Sequence, residues 1–337
     1  MVGSQIGEDS RMERVLILTI RAKGGGAEKI IEELVSSHHE KFDWVNMESL
    51  LHYSFFLRYL KFTMLAYSRI KLADKVVIGT EGILGLVVLP FKIIYSSKKK
   101  FFLWNHCYFE EYKNFLSFKD KLLYLASYAA YPRRINASPA CQKGLFIPNP
   151  FEFKKNVPKK VITTEKSVTL LSISSLAKLK RVDVTLDLLN KLPNNFKLNI
   201  YGDGIERDFL ENKVKKTNIQ NRVTFFGFVN SPFSIDRDKA RILVINSKTE
   251  ALPTIILEAI DNGIPVIVNA YAGSDYWRDF NSVFILDTIT SEKVIEVSEF
   301  FNKMNEEDYS NLFYSDISKL EEQHSYEKFI ERFSSIQ

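Results

Sequence analysis

Short, densely apolar runs alternate along this chain with longer stretches whose apolar residues recur every three or four positions. The alternation begins at VLILTI, just after Arg14, where a β-branched run is followed by RAKGGGAE and then by KIIEELVSS at helical spacing. Strand, glycine loop and helix are the opening unit of an α/β domain. FDWVNM, KVVIGT (75–80) and FFLWNH (101–106) read as further buried strands, with amphipathic segments between them. The pattern closes at GLFIPNPFEF (144–153), where Pro148 and Pro150 forbid a regular element. NVPKKVITTEKS (156–167) then reads as a linker.

Beyond the linker the alternation restarts. VTLLSIS (168–174), KLNIYG (197–202), RVTFFGFV (222–229), RILVIN (241–246), PVIVN and SVFILD (282–287) are strand-like, and VDVTLDLLNKL (182–192), ERDFLENKVKKT and IILEAI are helix-like. Two helical stretches, 291–305 and 316–335, end the chain. Strands alternating with helices imply parallel sheets covered on both faces. The expectation is α/β: two doubly wound, Rossmann-like domains, 12–155 and 156–315, with a C-terminal helix in 316–337 packing back towards the first. Ligands of such folds sit in the crevice at the carboxyl ends of the strands.

Composition changes this picture in three places. With 337 residues, 45% of them hydrophobic, the chain can bury two cores. Two cysteines, Cys107 and Cys141, give no disulfide framework and suit a reducing compartment, and no apolar run reaches the roughly 20 residues of a membrane span. The N-terminus lacks an apolar signal core, so a cytoplasmic location, or one at the inner membrane surface, is expected. The charge is uneven: residues 1–155 hold 23 Lys and Arg against 15 Asp and Glu, whereas residues 156–337 hold 23 against 26. A basic half suits an anionic surface or acceptor.

The candidate chemistry centres on TEALPTIILEAIDNGIPVIVN (249–269). Glu250 follows a strand and therefore sits in a loop at its carboxyl end. The next helix begins near Thr254, and its free amides suit a diphosphate; Pro253 is tolerated just ahead of it. Glu258 lies about one turn beyond Thr254 on the same face, where a carboxylate accepts hydrogen bonds from a ribose diol. Two glutamates at this spacing also arise by chance, as a loop acid and an exposed helix acid. Ile255, Ile256, Leu257 and Ile260 argue against that reading, because they leave so short a helix little solvent face.

SKTEALPTIILEAIDNGIPVIVNAYAG resembles the donor-site signature of glycosyltransferase family 4, retaining enzymes of GT-B fold in the glycogen-synthase-like clan. LLSISSLAKLKRVDVTLDLL, KLNIYGDGIERDFLE and NRVTFFGFV resemble, in order, the family's other donor-domain blocks. GGGAEKIIEEL, FFLWNH and IPNP give a looser match in the first half. The resemblance implies that Glu250 contacts the donor sugar, Glu258 the ribose, and Lys180 the departing diphosphate. It also brings Leu252, Thr254 and Ile255 to sugar and diphosphate, and Gly25 and Gly26 to the phosphates from the opposite domain. His106 would touch sugar or acceptor, and Gly227, Phe228 and Val229 would line the base pocket. No cofactor and no metal are implied beyond the nucleotide-diphosphate-sugar itself. Ser175 stands where the family has an arginine, which removes one cation unless Lys178 or Arg181 replaces it. Ala251 stands where a glycine is usual, and AYAGSDYW lacks the second glycine and following glutamate.

Other features have plain readings. GDG (202–204) reads as a strand-to-helix turn, and a lone histidine such as His106 beside Trp104 is ordinarily a packed one. HYSFFLRYLKFTMLAYSRIKLADK (52–75) has no acid between Glu48 and Asp74. It reads as a core helix with a solvated stripe ahead of a membrane-interface helix. The function expected is a retaining, metal-independent glycosyltransferase of hexosyltransferase type, acting on a hydroxyl of a glycan or lipid-linked acceptor. Peripheral membrane contact would run through the basic first half. A non-catalytic GT-B-like subunit, or nucleotide-sugar-binding partner of another transferase, is the alternative. A nucleic-acid-modifying enzyme ranks last, because no base-reading motif is present.

Overall fold

The computed structural model describes residues 13–22, 26–80, 82–154, 167–235 and 240–336. Gly25 and all but the last residue of the expected linker lie outside these segments. The first sheet is built from β1 (Val15–Thr19), β2 (Phe42–Asn46), β3 (Lys75–Ile78), β4 (Lys100–Asn105), β5 (Arg134–Asn136) and β6 (Leu145–Phe146), all parallel, in the order β2-β1-β3-β4-β5-β6. Every residue of β1 and β3 is buried, which is why they read as apolar runs rather than alternating ones, save for the buried Lys75, which pairs with Glu13 at 2.8 Å. On one face lie α2 (Phe55–Leu72), α3 (Ile83–Tyr95) and α5 (Phe118–Ala130), with the short α4 (Phe109–Tyr112) after β4. On the other lies α1 (Gly26–Ser37).

The second sheet uses β7 (Val168–Ile173), β8 (Phe196–Tyr201), β9 (Val223–Gly227), β10 (Ala240–Ile245), β11 (Val266–Asn269) and β12 (Val283–Leu286) in the order β12-β11-β10-β7-β8-β9. Numbered from its own start, this is the doubly wound dinucleotide-fold order, with its switch point between β7 and β10. Helices α6 (Val182–Lys191), α7 (Arg207–Lys216), α8 (Thr254–Asp261) and α9 (Ser291–Lys303) cover it. One continuous core unites them.

The C-terminal helices differ from the expected 316–335 segment. α10 begins earlier (Glu306–His324), because the Asn305 side chain caps it by accepting from the Asp308 amide at 2.8 Å. α11 (Tyr326–Ser334) restarts after Ser325, whose hydroxyl accepts from the Lys328 amide. Phe313, Ile317 and Leu320 of α10 belong to the second core, whereas Phe329 and Phe333 of α11 pack with Val15, Ile17 and Trp104 of the first. The chain therefore passes between the lobes twice. The first passage lies between Ile147 and Phe153, the second around Ser325. The two are stitched together: Phe151 donates its amide to the His324 carbonyl at 2.8 Å, and His324 Nδ1 lies 2.7 Å from the Asn149 carbonyl. A carbonyl can only accept, so Nδ1 carries the ring proton, and Nε2 lies 2.8 Å from the Tyr276 hydroxyl, which also reaches Gln323 Oε1 at 2.6 Å.

Candidate functional site

The carboxyl ends of both sheets open onto one cleft, which has two chambers. The inner chamber, about 370 Å³, is walled by the end of β7 (Ser172 to Ser175), the loop after β10 (Asn246 to Pro253) and the start of α8. From the first lobe, Gly26, Ala27, His106 and Asn149 close it. The outer chamber, about 350 Å³, includes Lys29, Glu33, Phe151, Lys154, Ser231, Phe233 and Glu258 in its walls. Gly26 and Thr254 line both chambers and form the neck between them. A Cβ on Gly26 would come within 3.3 Å of the Thr254 hydroxyl oxygen, so the amino ends of α1 and α8 nearly touch across the cleft. Two helix amino ends aimed at one neck make a place for anionic oxygens.

Lys180 and Glu250 meet in the inner chamber. The ammonium donates to Glu250 Oε1 at 2.6 Å, and both side chains are largely buried. Local backbone geometry brings them together. The turn 178–180 ends at Arg181 in the left-handed region (φ 51°), and the Lys248 amide donates to the Leu179 carbonyl at 2.8 Å, tying the two loops. Glycines set the floor below them: a Cβ on Gly202 would lie 1.9 Å from the Ser174 carbonyl oxygen, and one on Gly204 2.4 Å from that of Leu176. The GDG turn is therefore what lets β8's exit pack under the loop that carries Ser174 and Ser175. Behind Glu250, Tyr271 is buried and accepts from Trp277 Nε1 at 3.1 Å. Burial raises its phenol and the Glu250 charge raises it further, so it stays neutral.

In the outer chamber, Glu258 is half-buried on α8, and desolvation raises its carboxyl above the ordinary value, opposed mainly by Lys29. The Lys29 ammonium lies 4.0 Å from Glu258 Oε1. Lys154 frames the same wall, donating to Asn262 Oδ1 at 2.8 Å. His106, following β4, packs its ring against Trp104 with centroids 4.6 Å apart and faces the inner chamber. Burial pushes its imidazole down to about 4, so at neutral pH it is an uncharged donor or acceptor.

The structure gathers His106, Lys180, Glu250, Leu252, Thr254, Ile255 and Gly26 around the inner chamber and Glu258 on the outer one. The Leu252 side chain is buried in the second core, so its backbone is the part available to a ligand. Gly25 lies outside the described residues. Gly227, Phe228 and Val229 line neither chamber. Gly227 turns the chain at φ 68°, Phe228 projects into solvent at 78% exposure, and Val229 packs on the core. The residues just beyond, including Asn230, Ser231 and Phe233, line the outer chamber instead. Lys178 and Arg181 line neither chamber, so Lys180 is the one cation among the described inner-chamber residues. Sequence reasoning passed over Lys29 and Asn149. Asn149 is buried and lines the inner chamber, and its Oδ1 has no hydrogen-bond partner. Among the described residues, no His, Cys, Asp and Glu cluster could hold a metal ion.

Two Rossmann-like lobes facing across such a cleft define the GT-B fold. Solved structures with this architecture superpose over nearly the whole chain. Anabaena Alr3699/HepE in complex with UDP-glucose matches with a TM-score of 0.72 at 15% identity, covering 96% of this chain and 99% of that one. The lipopolysaccharide outer core galactosyltransferase WaaB matches with a TM-score of 0.67 at 18% identity, covering 96% and 99%. Residues 153–307, the second lobe with most of the site, match the family described as glycosyl transferases group 1. Among curated proteins, lipopolysaccharide 1,6-galactosyltransferase of Escherichia coli K12 is 33% identical over 91 residues, 26% of this chain and 25% of that protein. The poly(glycerol-phosphate) alpha-glucosyltransferase of Bacillus subtilis is 24% identical over 171 residues, 50% of this chain and 25% of that protein. The matches thus span about a quarter to a third of the length of the first curated relatives.

Proposed function

We propose that the protein transfers a hexosyl group from a nucleotide-diphosphate-sugar to a hydroxyl of a glycan or lipid-linked acceptor, with retention at the anomeric carbon and without a metal. The observation that carries this reading is the order of groups along the cleft: the Lys180–Glu250 pair inside, two helix amino ends at the neck, and Glu258 with Lys29 outside. That sequence matches a donor read from sugar through diphosphate to ribose. As the bond between anomeric carbon and diphosphate breaks, negative charge grows on the phosphate oxygens. Lys180 and the helix ends meet it in a partly dehydrated site, where fixed dipoles act strongly. Glu250, released from Lys180, accepts from sugar hydroxyls. The named activities of the relatives, on lipopolysaccharide and poly(glycerol-phosphate), support a cell-surface glycan as acceptor. Such an acceptor would be met at the cytoplasmic side of the membrane.

The test is turnover of a panel of nucleotide-sugars by the purified chain, with and without EDTA, followed by NMR of the anomeric proton in the product. Retained configuration and indifference to EDTA are expected. If every donor stabilises the protein against heat but none is turned over, the chain is instead a non-catalytic nucleotide-sugar-binding subunit. Ser175 favours that second reading, because it leaves Lys180 as the one cation among the described residues of the inner chamber.

A further inference from the structure

The outer face of the first lobe is exposed, as a solvated stripe would be, yet much of it is apolar. Helices α2, α3 and α5 lie side by side on one side of the first sheet, and each buries one stripe: Phe62, Ala66 and Ile70 on α2, and Leu84 and Val88 on α3. The opposite stripe does not turn polar. Phe56, Leu60 and Met64 follow one another at four-residue spacing on α2 and are exposed, Phe56 at 78% and Met64 at 65%. Ile93 near the end of α3, and Phe118 and Leu122 on α5, extend the apolar surface across the layer. Tyr67 and Phe91, with ring centroids 6.0 Å apart, join α2 to α3. Exposed apolar side chains gathered on one layer of helices mark an interaction site.

The charge carried by these helices is mainly positive, although Arg69 is paired with Asp43 at 3.2 Å. α2 carries Arg58, Lys61, Arg69 and Lys71 and no acid, α3 carries Lys92 and no acid, and α5 sets Lys119 and Lys121 against Asp120. Lys71 reaches over the ring of Tyr67, with Nζ 4.3 Å from its centroid. We infer that this three-helix face docks onto an anionic lipid bilayer, its aromatic and aliphatic side chains entering the headgroup boundary while its lysines meet lipid phosphates. Amphipathic surfaces bind membranes through that combination of apolar burial and attraction to anionic lipid. No helix of the described residues is long and apolar enough to cross a membrane. In a parallel sheet the helices leave from the strands' carboxyl ends, so the amino ends of α2 and α5 lie at the edge that opens on the cleft. Phe115, just ahead of α5, lies beneath Lys248 of the second lobe, whose Nζ is 5.7 Å from its ring. The docked face thus borders the entrance to the cleft.

The test is co-sedimentation of the full chain with phosphatidylcholine vesicles, with and without phosphatidylglycerol, at low and high salt. Binding to the phosphatidylglycerol vesicles, weakened by salt, is expected. Met64→Glu combined with Phe118→Glu should lower the partition coefficient roughly tenfold or more, since each change removes apolar insertion and adds repulsion. Ile205→Glu, at a still more exposed apolar residue of the second lobe, should change nothing. Melting temperatures of all variants establish that they fold. No binding by the parent chain, or equal binding by the double variant, overturns the proposal. So does a concentration-dependent dimer in sedimentation velocity that the double variant abolishes while vesicles stay unbound. Because the assay contains no sugar donor, its outcome is independent of the reaction proposed above.

Discussion

At the scale of single residues, the Lys180–Glu250 pair decides most. With Lys180 donating to Glu250 at 2.6 Å, one of its three N–H donors is engaged and two are left for the phosphate of the donor proposed above. Lys180→Ala should lower kcat on the order of 10²–10³-fold, as expected for removal of a preorganised charge at a leaving group. Glu250→Gln should lower kcat as well, and the double variant should lose less than the product of the two, because the side chains touch. Steady-state kinetics of the three variants checks both statements. Glu258→Ala should act on donor binding instead, raising the donor KM by about 10-fold or more through lost charged hydrogen bonds while sparing kcat. The glutamates were legible in sequence because their apolar neighbours left them no ordinary solvent face. Lys29 and Asn149 were not legible, since each owes its place in the cleft to the other lobe, and no local spacing records that. Leu252 was placed correctly along the chain, yet its side chain follows the hydrophobic demand of the second core.

At the scale of elements, α8 carries the site. Its burial of Ile256, Leu257, Ala259 and Ile260 fixes its axis, so its amino end is held against Gly26 without a side-chain cap. With Lys180 the single lysine among the described residues of the inner chamber, position 175 is where added charge would strengthen the cradle. Ser175→Arg should tighten donor binding about tenfold, the scale of one added charged hydrogen bond, and calorimetric titration with a nucleotide-sugar checks it. The long apolar runs of both sheets announced themselves in sequence, because strands buried on two faces need nothing polar. β5 and β6, of three and two residues, were too short to show any period. The capping signal that starts α10 at Asn305 lay in the sequence unread, and the restart at Ser325 carries no glycine or proline to mark it. The basic aromatic helix was read as half core and half solvated. Its inner stripe is core, and its outer one is exposed but carries apolar side chains.

At the scale of the whole molecule, the C-terminal helix binds the two lobes into one folding problem. Phe333 packs on Phe42 and Trp104, with ring centroids 5.9 and 6.0 Å away, and is fully buried. Phe333→Ala should cost about 3–5 kcal/mol, read as a lower urea midpoint, with loss of the first lobe's tryptophan signal. His324 is fully buried in the crossing, and burial pushes its imidazole down to about 4 from an ordinary 6.5. An unfolded chain therefore takes up this proton first as the pH falls. The associated stability is complete above about pH 6.5 and drains away towards pH 4, by roughly 3 kcal/mol in all. His106 acts in the same direction. Urea midpoints across that range should fall steeply for the parent chain, and less steeply for His324→Gln. The two passages of the chain between the lobes, laced by Asn149, Phe151 and His324, have one more consequence. Parallel tethers act as an axle: they allow swing about a single line and resist twist or sliding. Asn149 and Phe151 sit on that line, so any swing of one lobe against the other would leave the back of the crevice in place and move its far rim.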